Sequence, residues 1–149
     1  FKLKKNTSGS EIDTKARSFL RQIGLNFAHG TGHGVGYFLN VHEGPHAISK
    51  KNKVKFQKGM IVSNEPGYYE KNKFGIRIEN LIYVKENKKT INFENLTMAP
   101  IEKDLIIPES LNKNEKEWLN KYHETVFKNL VSSMNKAESL ELKKACSAI

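Results

Sequence analysis

Between residues 25 and 45 the chain carries five glycines, Gly30, Gly32, Gly34, Gly36 and Gly44, and three of its five histidines, His29, His33 and His42. Regular helix is excluded there, because each glycine inside a helix costs about 1 kcal/mol against alanine. Glycines so placed let backbone approach a ligand closely or take positive φ. Two glutamates follow, each in a run that reads as a strand. Residues 60–66 open on the apolar run Met60, Ile61 and Val62 ahead of Glu65 and end at Pro66, which has no N–H for a sheet ladder. Residues 74–85 alternate, with Ile76, Ile78, Asn80 and Ile82 on one parity and Arg77, Glu79, Leu81 and Tyr83 on the other. The parity of Arg77 and Glu79 is expected to face a site.

Imidazole nitrogen and carboxylate oxygen suit Mn²⁺, Zn²⁺, Co²⁺ or Fe²⁺, and the only cysteine, Cys146, is distant in sequence. His29 and His33 are four apart, but the glycines between and around them rule out the helical pair of an HExxH motif. Each histidine also has a structural reading as a hydrogen-bonded residue. Glu79 has one as the partner of Arg77 or as a solvated side chain. An unpartnered carboxylate is costly to bury, and a cation held by both glutamates would offset that cost.

Elsewhere the pattern is that of one α+β domain. Ser10 to Asp13 has capping-box spacing, and a helix is expected over residues 11–23, with Ile12, Ala16, Phe19, Leu20 and Ile23 on one face and Gly24 at its end. Residues 47–58 read as a polar connection with at most one short strand pair. Residues 67–73 read as a hairpin tip, and residues 90–93 as a further strand. After an extended connection over 96–108, a helix over 114–131 carries Trp118, Leu119, Tyr122, Val126 and Leu130 as a stripe expected to pack on the sheet. A second helix, over 135–144, has little to bury.

The 149 residues suit one domain. Net charge is +9, but the 25 basic residues include only Arg17, Arg21 and Arg77 as arginine, and the lysines are scattered among asparagines. A nucleic-acid reader would cluster arginine and aromatics, so no nucleic-acid partner is expected. No run is long enough to span a membrane, and the opening FKLKK does not read as a signal peptide. A start at Phe1 suggests a piece of a longer protein. One cysteine excludes an internal disulfide and fits a reducing compartment.

The strings HGTGHGVGYFLNVHEGP, SNEPGYYEKNKFGIRIEN and WLNKYH resemble the C-terminal part of the catalytic domain of aminopeptidase P, the X-prolyl aminopeptidases of the pita-bread metallopeptidase family. The resemblance implies half of a pita-bread fold, a curved antiparallel sheet with outer helices, over residues 1–100, and a C-terminal extension with helices packed on it over 101–149. It implies His33, Glu65 and Glu79 as metal ligands for two divalent ions, usually Mn²⁺, with Glu79 bridging them. It implies His29, His42 and Glu65 as catalytic residues, with His42 meeting the substrate carbonyl. Tyr69 and Arg77 would support that site by hydrogen bonds. A pocket around His29 and His42 would receive the proline ring of a peptide with proline second, whose N-terminal Xaa–Pro bond is cut by a metal-activated water.

The family also needs two aspartates and a further histidine from the preceding part of its domain. Asp13 and Asp104, the only aspartates, lack the family's surroundings. The isolated piece is therefore expected to need that preceding part and to be inactive without it. Prolidase, methionine aminopeptidase and an inactive peptide-binding module are the alternatives. A homodimer and the cytoplasm, or else an acidic vacuole, are the expected assembly and location.

Overall fold

A computed structural model describes residues 3–149. Phe1 and Lys2, where the FKLKK opening begins, lie outside the described residues. The chain divides into two compact units, Phe1–Thr97 and Met98–Ile149.

The first unit contains β1 (Leu3–Lys4), α1 (Gly9–Ala16), α2 (Ser18–Gln22), β2 (Gly32–Val35), β3 (Ala47–Ile48), β4 (Ile61–Asn64), β5 (Gly67–Glu70), β6 (Phe74–Arg77), β7 (Asn80–Glu86) and β8 (Thr90–Asn95). Six strands form one antiparallel sheet in the order β1-β8-β7-β4-β2-β3, and β5 and β6 form a separate two-stranded ribbon. Leu3, Ile12, Ile48, Phe56, Val62, Ile82, Val84 and Ile91 make its apolar core.

The helix expected over 11–23 is two helices. The capping serine is Ser8, not Ser10: its N–H and its hydroxyl both donate to Glu11 Oε2, at 2.7 and 2.6 Å. Asp13 is thereby released from capping and turns inward to Arg17, where α1 ends. Of the expected apolar face only Ile12 is buried, while Phe19 and Ile23 are exposed.

The glycine-rich segment holds a strand, which its composition did not suggest. At Gly32 a Cβ would lie 1.8 Å from the Ser63 carbonyl oxygen, and at Gly34 one would lie 2.3 Å from that of Glu43. These glycines serve close backbone packing, and positive φ among glycines falls at Gly24 and Gly59 instead.

The single strand expected over 74–85 is broken. The chain runs up β4, crosses through Glu65 and Pro66 into the ribbon, returns along β6, and crosses back through Ile78 and Glu79 into β7. Asn64 pairs with Asn80, and Gly67 with Arg77. Each crossing has two residues, so one register persists and Glu65 falls opposite Glu79. Neither glutamate lies within a strand. Proline cannot donate at this point of the ladder, which explains why pairing lapses here.

The second unit contains α3 (Lys113–Leu130) and α4 (Lys136–Ala145) with short 3-10 turns at Pro108–Ser110 and Val131–Ser133. Asn112 and Asn135 cap the two helices, each accepting from the backbone N–H of the glutamate three residues on. Leu119, Tyr122 and Val126 of the expected stripe are buried, but Trp118 is exposed and stacks on Tyr122 at 5.6 Å. Leu142 of α4 is buried with Tyr122 and Val126 in a core of this unit's own, so the last helix has more to bury than its sequence suggested. No helix among the described residues is long and apolar enough to cross a membrane.

Candidate metal centre

Three elements bring His33, Glu65 and Glu79 together. β2 carries His33, and pairing with β4 sets it across from Ser63, whose side chain shares a face with Glu65 two residues on. The Ser63 hydroxyl is fully buried, accepts from the His33 backbone N–H at 2.8 Å and donates to Glu65 Oε1 at 3.1 Å. The two crossings supply Glu65 and, opposite it, Glu79. One donor atom from each of His33, Glu65 and Glu79 lies within 4.8 Å of the others.

This donor set fits a cation. Like charges facing each other across paired strands are destabilising, and a bound cation turns that repulsion into attraction. The His33 ring is turned for ligation: its Nδ1–H donates to the Gly34 carbonyl at 3.2 Å, and Nε2 lies on the side of Glu65 Oε1, 3.8 Å away. His33 and Glu65 are half-buried, whereas Glu79 is exposed.

Arg77 does not pair with Glu79. Its Nη1 donates to Glu65 Oε2 at 2.9 Å, and its Nε donates to the Tyr69 hydroxyl oxygen at 2.9 Å. That bond to Tyr69, with the Glu65 and Glu79 charges adding, holds the Arg77 guanidinium above its ordinary pKa. The chain continues to His29, whose Nδ1–H donates to the Gly30 carbonyl at 2.7 Å. In the neutral ring Nε2 then accepts from the Tyr69 hydroxyl at 2.8 Å. One continuous line of hydrogen bonds thus runs Glu65–Arg77–Tyr69–His29.

His42 sits in an exposed bend, with its ring 4.4 Å from that of His33 and edge-on to it. Among the described residues its nitrogens make no hydrogen bond. A cleft of about 390 Å³ is lined by His29 with Arg17, Arg21, Phe27, Lys50 and Lys51, and His42 is not part of its wall. His46 is structural: it is buried, and its Nε2–H donates to the Ile61 carbonyl at 2.6 Å. Ser63 and the buried trio Asp13, Arg17 and Thr31 were not singled out by sequence. Only Ser63 left a signal, by sharing Glu65's parity.

The family model for metallopeptidase family M24 matches residues 2–86, and that for the C-terminal region of peptidase M24 matches 89–149. A probable Xaa-Pro aminopeptidase P of Laccaria bicolor is 52% identical over 128 residues, 78% of this chain and 20% of that protein. Xaa-Pro aminopeptidase 1 of Dictyostelium discoideum is 44% identical over 147 residues, 93% of this chain and 23% of that protein. Among solved structures, an X-prolyl aminopeptidase of Caenorhabditis elegans, described as a cytosolic enzyme with a di-nuclear active site, superposes with a TM-score of 0.91 at 37% identity. That match covers 100% of this chain and 26% of the other. The prolidase of Pyrococcus furiosus matches 62% of this chain with a TM-score of 0.55 at 34% identity. The chain therefore spans about a quarter or less of the length of these aminopeptidase relatives. It belongs to metallopeptidase family M24 and has part of the pita-bread fold of that family.

Proposed function

We propose that this chain is the C-terminal catalytic piece of an Xaa-Pro aminopeptidase, which hydrolyses the N-terminal Xaa–Pro bond of peptides with proline second. The observation that carries the reading is the convergence of the His33, Glu65 and Glu79 donor atoms within 4.8 Å of one another. Aminopeptidase is favoured over prolidase because the nematode aminopeptidase matches the whole chain, 98–149 included, whereas the archaeal prolidase matches 62% of it.

His33, Glu65 and Glu79 would hold two divalent ions, manganese by preference. The ions, when bound, supply a water of lowered pKa and polarise the scissile carbonyl. Glu65 takes a proton from the attacking water. His42, whose ring nitrogens have no partner among the described residues, donates to the carbonyl oxygen as negative charge develops there. His29 has both nitrogens engaged in its neutral form, so it shapes and steadies the substrate site. Arg77 and Tyr69 hold Glu65 and His29 in a common frame.

Three donors are too few for two ions. The reading therefore includes a preceding part of the same enzyme that supplies the remaining ligands, with residues 1–100 as the second half of the catalytic domain and 101–149 as its extension. It also includes a homodimer located in the cytosol. The test is cleavage of Xaa-Pro-Xaa, Xaa-Pro and Met-Ala peptides by the protein extended to its relatives' length, with bound metal assayed in parallel. Release of the first residue from the tripeptide alone, abolished by a chelator and restored by Mn²⁺, is the expected result. A protein that binds no metal, or that cleaves only dipeptides, overturns the reading. The 149 residues alone should show no turnover.

A further inference from the structure

Helix α1 buries an ion pair that the chemistry above does not use. Arg17 Nε donates to both carboxylate oxygens of Asp13, at 3.0 and 2.9 Å, and the two side chains are 7% and 1% exposed. Such a pair is weak evidence of stabilisation, because apolar replacements of similar volume are often as stable. Its other bonds give it a different meaning. Arg17 Nη1 donates to Asn26 Oδ1 at 2.8 Å and to the Phe27 carbonyl at 2.7 Å, and Nη2 donates to the His29 carbonyl at 2.5 Å. Its guanidinium also lies 3.9 Å from the centre of the Phe27 ring. Asp13 in turn accepts from the wholly buried Thr31 hydroxyl at 2.6 Å.

We propose that Asp13 and Arg17 are positioning residues, a buried clamp that grips the backbone on both sides of His29 and aims its imidazole at Tyr69. The clamp reaches the other end of the site as well. The Thr31 carbonyl accepts from the Glu65 backbone N–H at 2.7 Å, so the residue held by Asp13 also fixes where Glu65 leaves its strand. Arginine is required, because a guanidinium offers a planar fork of donors and one ammonium cannot reach acceptors on four residues at once. The site it serves is the substrate site proposed above, and the inference rests on that reading in this last step alone.

Arg17→Lys keeps the buried charge pair and removes the fork. In the 149-residue chain, hydrogen exchange at residues 27–31 should speed up about 10-fold or more, and the ¹⁵N signals of the His29 ring should move toward those of a solvated, tautomer-averaged imidazole, while exchange in β7 and β8 stays unchanged. The paired variant Asp13→Leu/Arg17→Met removes both charges together, leaves no orphan charge, and should give the same local signature if the lysine variant does not fold. In the extended enzyme, Arg17→Lys should lower kcat/KM about 10–100-fold in the wild-type background but less than about 2-fold in a His29→Ala background. Unchanged exchange and ring signals in whichever variant folds overturn the proposal, as do additive losses in the two backgrounds. An inactive wild-type extended enzyme would instead sink the peptidase reading, and the exchange and ring signals would still decide the clamp.

Discussion

In residues 1–97 the buried polar side chains of Asp13 and Arg17 are spent on segments outside their helix, and each finds partners there. In residues 98–149 the buried His123 and Tyr122 also bond to backbone outside their helix, in the segment that begins the same unit. His123 Nε2 accepts from the Ile101 N–H at 3.1 Å, Tyr122 donates to the Ala99 carbonyl at 2.8 Å, and His123 Nδ1 is left buried without a partner. The first unit leaves His33 and Glu65 half-buried and Glu79 exposed, with donor atoms that converge within 4.8 Å of one another. The second seals a small core around Tyr122, Val126 and Leu142. Buried polarity can thus aim a site or close a fold, and substitutions should separate the two uses.

The largest effect is expected from Glu65→Gln or Glu79→Gln in the extended enzyme. Losing a ligand forfeits several kcal/mol of charge stabilisation, so turnover should fall on the order of 10³-fold with a matching fall in bound metal, while the melting temperature of the metal-free protein should change little. A large melting loss at either position would break the comparison. Leu119→Ala in the second unit should do the reverse. It should cost about 2–5 kcal/mol in urea unfolding and leave metal content per folded molecule unchanged. Tyr69→Phe cuts the line from Arg77 to His29 and should lower kcat/KM about 10–100-fold at unchanged metal content. Retained activity would show that His29 does not depend on that line.

The smallest effect is a pH dependence. Burial, helped by the Lys103 charge, holds the His123 ring below its ordinary pKa, so it is neutral in the native state. The unfolded ring titrates near ~6.5, so this contribution is complete above that pH and is lost as pH falls from there toward the lower folded value. Thermal unfolding between pH 7 and pH 5 should show the loss, and His123→Gln, which keeps an acceptor for Ile101, should flatten it. An unchanged slope would show that His123 is not the group responsible.

Much of the site was legible because its parts are short in sequence and chemically distinctive. His33, Glu65 and Glu79 could be picked out by residue type, and the parity of Arg77 and Glu79 pointed both toward the site. The supports were not legible. Asp13 looked like a capping residue because Ser10 stood three residues before it, although Ser8 and Glu11 have the same spacing with the usual glutamate, and it is Ser8 that caps and frees Asp13 to meet Arg17. The strand at Gly32–Val35 was hidden because glycine carries no β-propensity, and its place is set by the backbone of Ser63 and Glu43, distant in sequence. The break at Ile78 was hidden because alternation continued through it.

The paired crossings between the large sheet and the ribbon have a consequence for how this region can change length. Glu65 faces Glu79 only because the outward and returning bridges contain the same number of residues. One residue deleted from either bridge would slip the ribbon against the sheet and rotate one carboxylate to the opposite side. Deletions here should therefore be tolerated only as matched pairs, whereas the tip of the ribbon, at residues 71–73, can shorten or grow without disturbing the distance between the two acids.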